Sequence, residues 1–317
     1  MDGLHRFVFG NLPVRGMLVR LEGSWQDLQR RHDTDGGYAQ PVRALLGQMC
    51  AAGVLMHSNI KFDGALVLQI FGDGPVRLAV ADVQSDLSFR ATAKVVGAVP
   101  DEALLEAMVN AQGQGRCAIT LDPLDKRDGR QPYQGVVALH GGRHQPLQKL
   151  SEVLEHYMLQ SEQLETRIVL AADARTAAGL LIQRLPGADA TGGPRREIDD
   201  GGAEDDYRRI AHLAATLTET ELLTLDTDTV LRRLFWEEPL TRFQPLQPRF
   251  GCSCSAERVR AMLLGLGQAE VDAIVAERGT VEIVCDFCGQ PYRFDPVDIA
   301  GLFTPGRDQP PAPDAVQ

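Results

Sequence analysis

Cys252-Ser-Cys254 and Cys285-Asp-Phe-Cys288 are the two short motifs around which this sequence is organised. They contain four of the six cysteines in the chain, and 30 residues lie between the two motifs. Two close cysteine pairs joined by a segment of this length are typical of a tetrahedral zinc site with four thiolate ligands. The spacing therefore predicts one Zn²⁺ per chain, bound by Cys252, Cys254, Cys285 and Cys288.

The motifs leave open what the zinc is for. Zinc ribbons commonly use two C-x-x-C pairs, whereas the first pair here has a single spacer residue, Ser253. A zinc ion that only holds a small domain together fits this spacing. A redox switch is also chemically possible, because zinc-bound sulfurs are thiolates, the species that peroxide or hypochlorous acid attacks, and oxidised sulfurs are poor zinc ligands.

The segment around the motifs predicts a small domain, residues 249–303, with a thin core. Ser255 is a suitable N-cap for a helix ending at Gly267, a second short helix ends near Gly279, and residues 280–284 form a strand. Tyr292 and Phe294 follow the second motif, where they could cover the metal. Because so few apolar residues are available, we expect folding of this domain to depend on the ion. The expected core positions on the two helices are Val259, Met262, Leu263, Leu266, Val271, Ile274 and Val275.

The first 185 residues predict an N-terminal mixed domain, so that the fold class is α+β. Hairpin signals and helices occur in mixed order, which favours α+β packing over a doubly wound parallel sheet. Ser24 is a candidate N-cap, and Gly72 and Gly74 are expected to supply positive φ in a hairpin. The predicted strands are 14–21, 65–71, 76–83, 87–96, 116–121, 134–140, 166–171 and 177–185, and the predicted helices are 24–31, 41–56, 100–109 and 146–163.

Residues 186–248 predict a linker. An acidic, glycine-rich stretch, 187–206, has no apolar periodicity and is expected to be a flexible loop. Short helical patterns follow at 207–217, 219–225 and 227–236, with Thr218 as a candidate N-cap, and 239–249 is expected to be an extended connector. These helices need a surface to pack on, because they lack a core of their own. The last stretch, 304–317, contains four prolines and predicts a disordered tail.

Composition and charge exclude several classes of protein. A formal net charge of −11 argues against general affinity for nucleic acid. No apolar run approaches the roughly 18 residues that span a bilayer, and the first residues do not read as a secretory signal. Close cysteine pairs without an export signal indicate a metal site in a reducing compartment, so a cytoplasmic location is expected.

Other candidate sites are better interpreted as structural, which favours a binding protein or switch over an enzyme. No G-x-S-x-G, Walker A or H-E-x-x-H motif occurs. The weaker candidates are the glycine pairs Gly72/Gly74 and Gly113/Gly115, interpreted as turns; His140 and His144, interpreted as flanking a tight turn; and Cys50 and Cys117, interpreted as small buried hydrophobic residues.

Six stretches of the chain resemble one family. They are residues 249–259, 285–289 and 292–294 around the cysteines, together with 156–163 (HYMLQSEQ), Val14-Arg-Gly16 and Lys61-Phe-Asp-Gly64. In these stretches the sequence resembles the bacterial 33-kDa heat-shock protein family, the redox-regulated holdase chaperones, and the similarity extends over nearly the whole chain. The acidic stretch 187–206 is longer than the usual connector of that family, and the proline-rich tail looks like an addition.

This resemblance implies an ATP-independent stress-response chaperone that is inactive while reduced and zinc-bound. Oxidation would form disulfides Cys252–Cys254 and Cys285–Cys288, release zinc and unfold the linker. The activated protein would dimerise and hold unfolding client proteins until ATP-dependent foldase chaperones act on them. The resemblance implies neither a nucleic-acid nor a membrane partner.

Two other functions compete with this interpretation. A constitutive zinc-ribbon protein that binds RNA or a transcription complex needs a basic face, but the arginines between the motifs are balanced by acidic residues. A thiol oxidoreductase using Cys285 and Cys288 needs the pair at the start of a helix in a βαβ setting. Here the pair follows a predicted strand and precedes Gly289-Gln-Pro291.

Overall fold

The computed structural model describes residues 2–32, 37–125, 131–142, 145–185 and 200–304. Its elements confirm the predicted α+β class. In chain order they are β1 (Gly3–Phe9), β2 (Val14–Leu21), α1 (Gly23–His32), α2 (Gln40–Ser58), β3 (Gly64–Phe71), β4 (Val76–Gln84), β5 (Ser88–Val95), α3 (Leu105–Val109), β6 (Arg116–Pro123), β7 (Tyr133–Ala138), α4 (Leu150–Ser161), β8 (Thr166–Ala172), β9 (Ala177–Arg184), α5 (Asp200–Ala215), α6 (Glu219–Thr224), α7 (Thr227–Phe235), β10 (Leu240–Arg242), β11 (Arg249–Phe250), α8 (Ala256–Leu266), α9 (Gln268–Arg278), β12 (Val281–Val284), β13 (Pro291–Phe294) and α10 (Pro296–Leu302).

The chain divides into two compact units, Met1–Gly251 and Cys252–Gln317. The larger unit contains two sheets with the orders β10-β1-β2-β9-β8 and β11-β5-β4-β3-β6-β7. Within the described residues, neighbouring strands of these sheets pair antiparallel except β11 and β5, which pair in parallel. Most pairs are sequential hairpins or neighbours, as the predicted order of turns and strands requires.

Helix α2 packs between the two sheets and forms the centre of the main core. It contacts β8 and β9 of one sheet and β4 and β5 of the other. Pro41 lies in its first turn, as predicted, and fourteen of its nineteen residues are buried. Because α2 is apolar on nearly every side, it can be buried on nearly every side, and it lacks the single apolar stripe that is typical of a surface helix.

The helices of the predicted linker pack on the outer face of the first sheet. Strand β9 reads Ala-Ala-Gly-Leu-Leu-Ile-Gln and is buried along almost its whole length, because α2 covers one face and α5 and α6 contact the strand as well. Phe9 and Phe235 meet edge to face with ring centroids 4.9 Å apart. This second cluster also contains Leu180, Ile182 and Ile210, all fully buried. The linker helices therefore obtain from β1, β2 and β9 the apolar surface they lack themselves.

The residues that follow α7 add strands to both sheets. β10 pairs with β1, Leu246 makes an isolated bridge to Leu4, and β11 pairs with β5. The predicted connector, 239–249, is extended as expected, and the backbone N–H groups of Phe243, Leu246 and Arg249 donate to the carbonyls of Arg6, Leu4 and Leu87.

The smaller unit is built around a hairpin. β12 and β13 pair antiparallel, with Val281 opposite Phe294 and Val284 opposite Pro291. Ser255 caps α8, α8 stops at Gly267, and α9 ends at Gly279 in the left-handed conformation, as predicted. Its apolar core contains six buried side chains among the described residues: Val259, Leu263, Val271, Val281, Phe294 and Ile299.

Several local predictions were wrong. Ser24 does not cap α1; its hydroxyl is buried without a hydrogen-bond partner in the described structure, and the carboxylate of Asp2 accepts from the backbone N–H of Ser24 at 2.9 Å instead. Gly72 and Gly74 do not have positive φ. They are required by close approach, because a Cβ would lie 2.0 Å from the carbonyl oxygen of Val76 and 2.5 Å from that of Met108, respectively.

Three helix boundaries also differ. α4 begins at Leu150 because Leu147 donates its backbone N–H to the Leu139 carbonyl and is held in a turn. α3 is only Leu105–Val109. α5 begins at Asp200, inside the stretch predicted to be a loop; acidic residues near the N-terminal end of a helix are favourable, and Glu204 pairs with Arg208 one turn later.

Some expectations fall outside the described residues. These are the remainder of the acidic stretch, His144 and nearly all of the predicted tail. Among the residues that are described, no helix combines the length and apolar character needed to cross a membrane.

Candidate metal centre

The hairpin of the smaller unit presents the second cysteine pair. Cys285 follows β12, and its backbone N–H donates to the Gln290 carbonyl at 3.0 Å, which closes the turn before β13. The backbone N–H groups of Cys288 and Gly289 both donate to the Cys285 carbonyl, at 3.3 and 2.8 Å. Gly289 has φ 69°, a conformation that favours glycine. The turn therefore holds both sulfurs on one side of the hairpin end.

The first cysteine pair lies immediately before α8. Ser255 accepts from the backbone N–H of Arg258 and fixes the start of the helix. The Arg258 guanidinium reaches back and donates from Nη1 to the Ser253 hydroxyl at 2.7 Å. The spacer between Cys252 and Cys254 is thus tied to the first turn of α8, and the positive end of that helix faces the motif.

The four cysteine sulfurs come together in one cluster. All four Sγ atoms lie within 4.8 Å of one another, with 3.7 Å between Cys252 and Cys285 and 3.4 Å between Cys254 and Cys288. A tetrahedral site with Zn–S bonds of about 2.3 Å has sulfurs roughly 3.8 Å apart. The cluster has this size, and the sulfurs are too far apart for a disulfide, which needs about 2.05 Å. These four residues could hold a metal ion.

The surroundings of the sulfurs favour a cation at their centre. Burial raises the pKa of the Cys288 thiol and, more weakly, that of Cys285. Crowding adds to this effect, because a thiolate at Cys252 raises the pKa of Cys285 further. Four neighbouring thiolates are therefore costly unless a positive charge compensates them, which is the condition under which metal binding and thiol deprotonation are coupled.

Tyr292 and Phe294 occupy different places although both follow the second motif. Tyr292, in β13, donates its hydroxyl to Sγ of Cys254 at 3.1 Å, and this contact raises the pKa of the tyrosine. Phe294 lies in the small core, and the Arg260 guanidinium is 5.7 Å from the centre of its ring. Of these two aromatic residues, Tyr292 is the one that hydrogen-bonds to the sulfur cluster.

The core of this unit is as small as expected, and the buried face of α8 is narrower than predicted. Val259 and Leu263, four residues apart on α8, are buried, as is Val271 on α9, whereas Met262 and Leu266 are about half exposed. The predicted face of α8 was too wide, because the hairpin and α9 cover only one row of its side chains. Because the core has only six buried apolar side chains among the described residues, the cysteine cluster is the main remaining means of holding the two motifs together.

The other candidates occupy structural positions. Cys50 in α2 and Cys117 in β6 are fully buried, as predicted, and burial raises the pKa of Cys117 to about 12. His140 makes an isolated bridge to Pro146 beside the turn at Gly141. Among the described residues, the four C-terminal cysteines form the one cluster of potential metal ligands.

Charges on the small unit are mixed. Arg293 in β13 pairs with Glu282 of β12 at 3.1 Å, and Arg260 lies 4.0 Å from Glu257. Each of these two arginines therefore has a carboxylate beside it.

Sequence reasoning missed several supporting contacts. The Tyr292 hydroxyl bond to Cys254 had a signal, an aromatic residue shortly after the second motif. The Arg258–Ser253 contact and α10 were less evident from the sequence. For α10 the signal was Asp295 before Pro296, a good start for a helix, and Asp295 caps α10 in the structure.

Comparison with known proteins gives one consistent result. The profile of the family described as Hsp33 protein matches residues 2–295. The chain is 43% identical to a 33 kDa chaperonin from Chromobacterium violaceum, over 95% of this chain and 94% of the relative. It is 42% identical to a 33 kDa chaperonin from Methylobacillus flagellatus, over 97% and 98%. The crystal structure of a 33 kDa chaperonin from Thermotoga maritima has the same fold, with a TM-score of 0.72 at 22% identity, over 94% of this chain and 97% of that one.

Proposed function

The chain belongs to the Hsp33 family, and from this premise we propose that it is a redox-regulated, ATP-independent holdase chaperone. The name shared by its relatives, 33 kDa chaperonin, supports a chaperone function. The regulation is inferred from the chain's own sulfur cluster. The observation that carries it is that all four sulfurs lie within 4.8 Å of one another in a unit with a very small core.

In the reduced state, Cys252, Cys254, Cys285 and Cys288 hold one Zn²⁺. When bound, the ion supplies positive charge that keeps the sulfurs deprotonated and joins the two motifs. The binding free energy of structural zinc in small peptides is about 10–16 kcal/mol at neutral pH. Burial of the six apolar side chains of the core contributes about 1.5–3 kcal/mol each. Their total is at most of the same order as the zinc-binding free energy, before the conformational entropy of folding is subtracted. Folding of this unit therefore depends on the intact cysteine cluster.

Oxidation by a peroxide converts each close pair of cysteines to a disulfide. The Cys285 thiolate attacks one peroxide oxygen, giving a sulfenic acid and releasing hydroxide. The Cys288 thiolate then attacks the sulfenic sulfur and displaces a second hydroxide, and both hydroxides take protons from the solvent to become water. Each disulfide removes two electrons from the protein and reduces one peroxide to two waters. The same sequence at Cys252 and Cys254 uses a second peroxide. Disulfide sulfurs are poor metal ligands, so the zinc is released and the small unit loses its main constraint.

Client binding would use apolar surface that the linker helices now cover. α5, α6 and α7 bury Phe7, Phe9 and Leu180 on the outer face of the first sheet. Unfolding of the linker, residues 186–248, would expose this face and the apolar sides of the helices, the kind of surface that binds unfolded proteins. The active form is expected to be a homodimer in the cytoplasm that passes clients to ATP-dependent foldases.

The test measures chaperone activity and zinc together. The purified chain is incubated with hydrogen peroxide, and suppression of the aggregation of chemically denatured citrate synthase is measured beside zinc release. We expect about one Zn²⁺ per chain before oxidation, little suppression by the reduced protein, and suppression that rises as zinc is released. Zinc release without any gain in suppression would contradict the proposal.

A further inference from the structure

The larger unit contains an apolar cavity of about 250 Å³ that the proposed chaperone cycle does not use. It opens beside Ile60 and Tyr133, which are 38% and 51% exposed, and its inner wall includes Leu66, Ile119 and Leu181, which are buried. Most of its lining is apolar, and the polar side chains that line it are those of Arg15, Asn59 and Glu162 together with two tyrosines.

Three sequence stretches meet at this cavity, far apart in the chain and separate from the cysteine motifs. Arg15 belongs to Val14-Arg-Gly16, and Asn59 and Ile60 directly precede Lys61-Phe-Asp-Gly64. The third stretch, residues 156–163, contributes Tyr157, Met158 and Glu162. Arg15 and residues 157, 158 and 162 lie in stretches that carry the family resemblance, whereas Asn59 and Ile60 lie just before one.

The polar lining of the cavity combines the positive charge of Arg15 with one buried acceptor, Oδ1 of Asn59, that has no hydrogen-bond partner in the described structure. Arg15 donates to Oε1 of Gln183 from Nε at 3.1 Å and from Nη2 at 2.5 Å, and Asn59 donates from Nδ2 to the same oxygen at 2.7 Å. The third guanidinium contact, from Nη1 to the Asn59 carbonyl, is long at 3.4 Å. All these acceptors are neutral, and among the described residues no carboxylate forms an ion pair with Arg15.

The electrostatics of Arg15 and Glu162 are different. Burial lowers the pKa of the half-buried Arg15 guanidinium, which means that its charge is poorly solvated. Glu162 is exposed to solvent and accepts a hydrogen bond from the Tyr157 hydroxyl at 2.9 Å. The poorly solvated charge at the cavity is therefore that of Arg15, and an anionic group beside it would gain a charge-assisted contact.

We propose that this cavity is a binding site for a small amphipathic carboxylate, whose head group pairs with Arg15 and whose hydrocarbon chain fills the apolar pocket between Ile60 and Leu181. The volume sets the size of the ligand. An engineered apolar cavity of about 150 Å³ holds benzene, so 250 Å³ suits a chain of roughly eight carbons. Octanoate has the required charge and length.

Calorimetric titration of the reduced, zinc-loaded full chain with octanoate, octanol and octylamine tests the site. We expect one saturable octanoate site per chain, with affinity at least tenfold higher than for octanol or octylamine. Arg15→Gln should weaken octanoate binding at least tenfold and leave octanol binding within twofold. The matched control Arg77→Gln, which changes an exposed arginine outside the cavity, should bind octanoate like the unaltered chain.

Other outcomes overturn the assignment. Equal binding of the three probes would show only general affinity for hydrocarbon, preference for octylamine would make Glu162 the head-group partner, and absence of saturable octanoate binding would exclude the site. Because Arg15→Gln could disturb the Gln183 network, Ile60→Trp provides a second variant at the cavity mouth. It should weaken octanoate and octanol alike while the thermal melting of the chain stays unchanged, and unchanged octanoate affinity in both variants would refute the proposal.

Discussion

Arg20 on β2 donates from Nη2 to the carbonyl oxygen of Leu223 on α6 at 2.7 Å, across 203 residues of sequence. Its Nη1 donates to the carbonyls of Leu222 and Leu225, at 3.1 and 3.0 Å. The carbonyls near the C-terminal end of a helix have no partners within the helix and carry partial negative charge. The side chain of Arg20 is only 16% exposed, and it therefore provides the hydrogen-bond donors for the carbonyl groups at the end of a linker helix.

Replacing Arg20 should release this part of the linker without changing the metal centre. In Arg20→Met the three carbonyls lose a charged donor, a loss of about 1.5–3 kcal/mol for hydrogen bonds to a charged group. We expect amide hydrogen exchange in α6 to become at least tenfold faster and the reduced protein to suppress aggregation more than the unaltered chain. Arg30→Met, which alters an exposed arginine of α1, is the control. Unchanged exchange in α6 would refute the role of Arg20.

The sequence predicted most strands of the larger unit, but it missed β1 (Gly3–Phe9), and several helix boundaries were wrong. β2 coincides with the predicted residues 14–21 because a mainly apolar run, interrupted by Arg15, Gly16 and Arg20, is bounded by turn residues on both sides. α4 starts four residues later than predicted because Leu147 pairs with Leu139, a tertiary contact that overrides local helix preference. Contacts such as Arg20 to Leu223 have no local pattern and become visible only when β2 and α6 are placed together.

The candidate metal ligands were accessible to sequence reasoning because their chemistry is local. Each pair of cysteines lies within one turn of backbone, so spacing alone indicates that its two sulfurs can share an ion. The meeting of Cys254 with Cys288 and the hydrogen bond from Tyr292 depend on how α8 packs on the hairpin. The width of the buried face of α8 also depends on this packing. Helical periodicity predicted that Met262 is buried, but the neighbouring elements do not cover it.

Removing one ligand should unfold the smaller unit. Cys285→Ser replaces a thiolate with a hydroxyl, which binds zinc poorly, and leaves three ligands around a thin core. We expect zinc content to fall well below one per chain and the backbone amides of α8 and α9 to lose protection under reducing conditions. Ser253→Ala, between the first two cysteines, should retain one zinc per chain. Full zinc content and unchanged protection in Cys285→Ser would contradict the coupling of metal binding to folding.

The two cysteine pairs should oxidise in a fixed order. A disulfide with two spacer residues closes a larger and less strained ring than one with a single spacer, so Cys285–Cys288 should form before Cys252–Cys254. The hydroxyl of Tyr292 adds to this difference because its hydrogen bond reduces the nucleophilicity of Cys254. Timed peroxide treatment, thiol trapping and peptide mass mapping should find the Cys285 pair oxidised at early times. Earlier closure of the Cys252 pair would reverse the assignment.

Tyr292→Phe should make the sulfur cluster more sensitive to peroxide. The substitution removes the hydroxyl donor to Cys254 and keeps the ring, and one hydrogen bond of this kind contributes about 1 kcal/mol. We expect zinc release at a fixed peroxide concentration to be roughly three- to tenfold faster. Tyr38→Phe, which removes a hydroxyl that bonds to Ala93 in the larger unit, is the matched control. Equal release rates for the two variants would show that the hydroxyl has no role at the cluster.

Acid should loosen α6 and α7 through the carboxylates at their starts. Glu221 accepts from the backbone N–H and hydroxyl of Thr218, and Asp226 accepts from those of Thr229; these bonds hold both carboxyl pKa values below their usual range. Each carboxyl group has a lower pKa in the folded chain than in the unfolded chain, where it is about 4. The stability that these groups contribute is therefore fully present above the unfolded pKa and is lost as the pH falls through the folded pKa. Protection of α6 and α7 amides, corrected for intrinsic exchange, should therefore fall between about pH 5 and pH 3.

The double variant Glu221→Gln, Asp226→Asn separates these two groups from the general effect of acid on the chain. Both replacements keep a side-chain oxygen that can accept a hydrogen bond, and neither titrates in this range, so the protection of α6 and α7 should be lower at neutral pH and nearly independent of pH down to 3. Amides of the buried helix α2 serve as the internal reference, since their protection follows the stability of the whole unit. If α6 and α7 in the double variant still lose protection in parallel with the unaltered chain, the pH dependence originates in other carboxylates.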